Sequence, residues 1–141
     1  MKKDLNQTDH YKLRIMKKII NTNKSPAPIG PYNQAVMKND MLFISGQIAL
    51  EPVSMELNNS SIEDETNQVM LNIKNILNKS NMNFNNVVKT TIFLSDMSLF
   101  KDVNRIYGDY LEKGSEPARE TIAVKTLPMS VNVEISMIAI A

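Results

Sequence analysis

EPARETIAVKTLPMSVNVEISMIAIA, residues 116–141, closes the chain and decides how the rest is read. Short β-branched and apolar runs on either side of Leu127-Pro128 predict two strands. In the first, alternation places Arg119, Thr121 and Ala123 on one face and Ile122 and Val124 on the other. In the second, Glu134 shares a face with Asn132 and Ser136, opposite Val133 and Ile135. A charge on a nearly buried strand needs a partner or a function. A hairpin about residues 126–130 would set Arg119 across from residues 134–137, within reach of Glu134. Two readings then stand: a cross-strand ion pair, or a guanidinium fork presented to a ligand carboxylate with Glu134 orienting or deprotonating a water. Spacing does not choose between them.

Upstream of this stretch, IMKKIIN at 15–21 predicts a first strand. SPAPIGPY at 25–32 carries three prolines and a glycine and predicts a stiff irregular loop. QAVMKNDMLFISGQIAL predicts two short strands about a Lys38-Asn39-Asp40 turn, with Gly46 at a bulge or a close backbone approach. Residues 61–79 predict a helix, because Ile62, Val69, Met70, Ile73, Ile76 and Leu77 recur at helical spacing. Ser61 and Asp64 suit its N-terminal cap, and the acids at 63–65 suit its positive end. VVKTTIFLS at 87–95 predicts a strand, and residues 98–113 a second helix stopped at Gly114. The order β-β-β-α-β-α-β-β describes an α+β fold, a mixed sheet with two helices packed on one face. The last strand is apolar on both sides, so the uncovered sheet face predicts self-association.

Composition narrows the chemistry. The 141 residues suit a single domain over 16–141, preceded by an extension, 1–15, expected to be disordered or frayed. The chain has no cysteine and one histidine, His10, which excludes disulfides, Fe–S clusters, thiol nucleophiles and His-based triads or metal sites. No metal and no cofactor is expected. Any catalysis rests on Arg, carboxylates, hydroxyls, amides and the backbone. Lys plus Arg number 16 against 15 acids, a net charge of +1 that argues against nucleic acid or an anionic membrane as partner. The extension has no apolar run, so it is neither a secretory signal nor a membrane span, and with Asp4, Asp9 and one Arg it makes a weak mitochondrial presequence. A cytoplasmic protein is the default expectation.

SPAPIGPYNQAV, LFISGQI, NQVMLNIKNIL, VVKTTIFLSDM, VNRIYGDY, EPARETIAVKTLP and VEISMIAIA, in that order, resemble the reactive intermediate deaminase (RidA, or YjgF) family, also described as endoribonuclease L-PSP-like. The resemblance runs from about Ile19 to the end, and PAR-x-T at 117–121 with VEI at 133–135 is its diagnostic pair. It implies a chorismate-mutase-like α+β fold and a homotrimer whose sheets line a central barrel, with active sites between subunits. It also implies hydrolysis of small 2-imino acids, as by a 2-iminobutanoate/2-iminopropanoate deaminase, to 2-keto acids and ammonia.

Residue by residue, the resemblance places Arg119 at the carboxylate-binding arginine and Glu134 at the acid that holds the attacking water. Tyr32 matches the tyrosine walling the pocket, Ser45 and Gly46 the loop approaching the ligand, and Asn104 an asparagine bordering the cleft. Thr121 stands where the family varies. Each also has a plain structural reading: packing for Tyr32, a turn hydroxyl for Ser45, an exposed helix amide for Asn104. Ala49 and Met55 depart from the family's Pro and Gly, which leaves a turn without the glycine that a positive φ favours. Two other functions stand beside hydrolysis: an RNA-acting translation inhibitor or endoribonuclease, and a non-enzymatic binder of small metabolites.

Overall fold

A computed structural model describes residues 7–141; residues 1–6 of the extension lie outside the described residues. Helix α1 (Gln7–Ile15) comes first, a third helix within the extension where none was expected. Strands β1 (Lys18–Ile20), β2 (Ala35–Lys38) and β3 (Met41–Gln47), helix α2 (Ile62–Lys79), strand β4 (Val87–Leu94), helix α3 (Phe100–Asp109) and strands β5 (Ala118–Ala123) and β6 (Val133–Ile140) follow. From β1 onward this is the order read from the sequence.

The local devices follow the residue types. Asn39 and Asp40 both take positive φ, 51° and 64°, and close the β2–β3 turn with Lys38 opposite Met41. Ser61 Oγ accepts from the Asp64 N–H at 3.0 Å and begins α2; the return arm comes from Ser60 Oγ, which donates to the Asp64 carboxylate. At its far end Asn81 sits at φ 56°, its N–H donating to Asn78 O while the Met82 N–H donates to Leu77 O. That is the left-handed termination glycine usually supplies. Helix α3 ends at Asp109, short of the expected 113, and Gly114 takes φ 91° in the loop beyond. Met55 adopts φ 56°, so the turn that lacks its glycine keeps the left-handed conformation.

One sheet forms, in the order β1-β2-β3-β6-β4-β5. The expected β5–β6 hairpin does not occur. Strand β5 pairs parallel with β4, Arg119 opposite Thr90, whereas β6 lies antiparallel between β3 and β4. Strand polarity explains the exchange. In β6, Val133, Ile135 and Ala139 are fully buried and suit a central position, while the polar Arg119-Glu120-Thr121 run suits an edge.

Helices α2 and α3 cover one sheet face. Their buried Val69, Met70, Ile73, Ile76, Leu77 and Val103 join Leu42, Ile44, Ile92, Leu94 and the inner face of β6 in one core. Each fully buried side chain of this size contributes about 1.5–3 kcal/mol. The opposite face is uncovered: Ile19, Val36, Phe43 and Ile138 stand in register across four strands, with Ile19 52% and Phe43 43% exposed. Among the described residues no helix is long and apolar enough to cross a membrane.

Candidate active site

The residues singled out in the sequence fall into two groups on opposite faces of the sheet. Tyr32, Ser45, Gly46 and Glu134 line one cavity of about 270 Å³ at the uncovered face, together with Pro26, Ile29 and Pro128. Asn104 and Arg119 line a second, of about 430 Å³, between α3 and the edge strand, with Tyr107 and Glu116. Arg119 is two strands from Glu134 and, through Thr90 and Met137, three residues out of register with it. Strand spacing then puts their Cα atoms roughly 14 Å apart. The cross-strand ion pair is therefore excluded.

The first cavity is shaped by buried amides. Gln34, 2% exposed, donates from Nε2 to the carbonyls of Thr22, Ser25 and Pro26 and accepts from the Thr22 N–H, which pins the proline loop over the sheet. From α2, Asn72 donates to Ile48 O and Leu50 O and supports the opposite wall. Tyr32 packs back on its own loop, its hydroxyl accepting from the Ile29 N–H at 3.2 Å, while its ring walls the cavity. Ser45 Oγ donates to Asn33 O at 2.6 Å, the turn role of a hydroxyl. Sequence reasoning did not single out Gln34 or Asn72. Their pattern, single amides beside irregular loops, was visible but had no distinguishing spacing.

Gly46 is needed for closeness and not for its backbone angles. The pairing of β3 with β6 shifts register between Ile44 and Gln47, and a Cβ on Gly46 would lie 2.0 Å from Glu134 Oε1. The Glu134 carboxylate is half-buried, with no hydrogen bond or ion pair to another described residue, and burial raises its pKa above the ordinary carboxylate value. Just upstream, Glu65 is fully buried; its carboxylate accepts from the Asn132 and Val133 N–H groups at 2.7 and 3.2 Å and from Asn132 Nδ2. This contribution from α2 anchors the start of the strand carrying Glu134.

In the second cavity, Arg119 Nη1 donates to Asn104 Oδ1 at 2.7 Å. Its guanidinium carbon lies 5.7 Å from the Phe100 ring centre and 5.2 Å from that of Tyr107. No carboxylate among the described residues forms an ion pair with it; Glu116, in the same cavity, accepts instead from the Gly114 N–H. Burial raises the Tyr107 pKa, which keeps that ring neutral beside the cation. Two residues along the same strand face, Thr121 Oγ1 is buried without a hydrogen-bond partner among the described residues. Phe100 and Tyr107 escaped sequence reasoning, because only tertiary packing brings α3 over β5. Among the described residues no cluster of His, Cys, Asp and Glu could hold a metal.

This chain is 45% identical over 126 residues to the 2-iminobutanoate/2-iminopropanoate deaminase of Mus musculus, covering 89% of this chain and 93% of that protein. It is 42% identical over 125 residues to Reactive Intermediate Deaminase A, chloroplastic, of Arabidopsis thaliana, covering 89% and 66% respectively. A solved Rid-family protein from Yersinia pestis superimposes with a TM-score of 0.86 at 40% identity, covering 89% of this chain and 100% of that one. Residues 22–141 match the family model described as Endoribonuclease L-PSP, and the chain belongs to that family, the reactive intermediate deaminases of the RidA/YjgF type.

Proposed function

We propose that the protein hydrolyses small 2-imino acids to 2-keto acids and ammonia, at a site completed between subunits of a homotrimer. The observation that carries this reading is Arg119, a guanidinium hydrogen-bonded to Asn104 with no carboxylate partner among the described residues. A charge-assisted bond to a ligand carboxylate contributes about 1.5–3 kcal/mol, which selects small anions over neutral analogues. Glu134 is the complementary feature, a half-buried carboxylate at the edge of a mostly apolar cavity that suits a short aliphatic chain. The two lie on opposite sheet faces, so one subunit does not join them; the uncovered apolar face supports an assembly in which Arg119 of one subunit meets Glu134, Tyr32, Ser45 and Gly46 of another.

In this reading Arg119 holds the substrate carboxylate, and Glu134 with a backbone carbonyl near Thr121 positions a water. The water oxygen bonds to the iminium carbon, the C=N π pair moves to nitrogen, and Glu134 takes the proton released. That proton passes to the amino group of the tetrahedral adduct. Glu134 then takes the hydroxyl proton as the C=O forms and ammonia leaves, and passes that proton to the departing ammonia as ammonium. A protonated imine is already electrophilic, so proximity and electrostatics suffice without metal or cofactor.

The test is decay of 2-iminopropanoate and 2-iminobutanoate, generated by an amino-acid oxidase and followed by semicarbazide trapping. Wild type accelerates decay, and Arg119→Ala loses most of that acceleration. Equal activity of the two proteins would refute the role of Arg119. An RNA-acting role has the family description behind it and a net charge of +1 against it; RNA cleavage by wild type without imine hydrolysis would favour it.

A further inference from the structure

Phe100, Asn104 and Tyr107 stand at i, i+4 and i+7 on α3 and present one face to Arg119. The amide accepts one N–H of the guanidinium while the two rings lie against it. Tyr107 is itself tied down, its hydroxyl donating to Thr90 Oγ1 at 3.0 Å, and Thr90 is the β4 residue paired with Arg119. Helix, ring and guanidinium thus rest on the same pair of strands.

We propose that Phe100 and Tyr107 are positioning residues that hold the Arg119 guanidinium ready for a ligand carboxylate, an inference that rests on the reading of Arg119 as the anion clamp. A free arginine side chain samples many rotamers, and ordering it at the moment of binding weakens the complex. The two rings impose that order on folding. They do so without neutralising the cation: an aromatic face attracts a guanidinium through its quadrupole, whereas a carboxylate in the same place would compete with the ligand. Asn104 supplies an acceptor that is also uncharged. The expected consequence is a tighter KM with little change in kcat, since the rings touch neither the imine carbon nor the water.

The experiment compares Phe100→Leu, Tyr107→Leu and the conservative Tyr107→Phe, each also combined with Arg119→Lys, for imine hydrolysis and for arginine 15Nε relaxation in the unliganded assembly. Loss of one ring raises KM about 3–10-fold, and Tyr107→Phe largely restores it. The penalty shrinks in the Arg119→Lys background, where an ammonium keeps the attraction to a ring but has no planar fork to be ordered against it. Arg119 Nε–H is rigid in wild type and mobile in the leucine variants. A wild-type KM in a folded leucine variant, an undiminished penalty in the Arg119→Lys background, or unchanged Nε mobility would each overturn the proposal. Phe100 is only partly buried, so Phe100→Leu carries the test should Tyr107→Leu fail to fold. If wild type hydrolysed no imine, the deaminase reading would fall, and the relaxation data would still decide whether the rings hold Arg119.

Discussion

Gly46→Ala separates steric cost from catalytic cost. The added Cβ would lie 2.0 Å from Glu134 Oε1 and 2.8 Å from its Cδ, about 1.4 Å short of ordinary contact for the nearer atom. The obstructing atoms belong to the end of a flexible side chain, so the strand need not move; Glu134 swings aside. Holding it off its preferred rotamer costs about 0.5–1.5 kcal/mol. For a domain of this size that lowers Tm by roughly 2–5 °C. Catalysis suffers more, because displacing a water-positioning group by about 1 Å costs on the order of 100-fold. The assay is kcat/KM for 2-iminobutanoate hydrolysis beside a thermal melt, with Glu134→Ala and the double variant as controls. In the double variant the collision is gone, so the stability penalty of Gly46→Ala vanishes. A folded Gly46→Ala protein with wild-type kcat/KM would refute the reasoning, and so would an alanine penalty that survives removal of the Glu134 side chain.

Burial raises the Glu134 pKa, so the folded state retains its proton above the pH at which the unfolded chain loses it. Stability is therefore lost as pH rises through the window between the ordinary and the raised value. Glu134→Gln should be slightly more stable than wild type above that window and equal below it, while wild-type activity falls as pH drops through the raised value; urea melts and pH–rate profiles check both. On the uncovered face, Phe43→Glu should abolish assembly without loss of helical circular dichroism, and sedimentation showing an unchanged oligomer would count against that face as the interface. Glu65→Ala leaves three N–H donors unmatched, that of Val133 buried and the two of Asn132 partly buried, and should cost about 3–5 kcal/mol in denaturant melts. Glu65→Gln should cost only about 1 kcal/mol, since the Asn132 amide can turn over and donate to Ser95 Oγ instead.

The elements from β1 onward were legible because their signals are local. The stripe from Ile62 to Leu77 has helical period, Ser61 lies where a cap belongs, and Asn39-Asp40 suits a turn needing two positive φ values. Gly46 was legible as a close approach, though not what approaches it. The motifs that mark Arg119 and Glu134 were equally plain as residue types in order along the chain. By contrast, the pairing of β5 is not legible: adjacency in the chain predicts a β5–β6 hairpin, and in the sheet β4 lies between the two. Only competition among strands for the buried central position shows that β6 wins it and β5 takes the edge.

That exchange moves Arg119 to the helix-covered face beside Phe100, Asn104 and Tyr107, and leaves Glu134 on the other face against Gly46. Residue types alone settle which groups are available: one guanidinium after Pro117-Ala118, one carboxylate in an apolar strand, no cysteine, and a single histidine. Period, capping and turn chemistry act over a few residues, and a sequence records them directly. Which charges meet, which rings hold the guanidinium and which buried amides shape the cavity depended on strand order and register. Those are decided by burial summed over the whole chain, and no short stretch of sequence contains that sum.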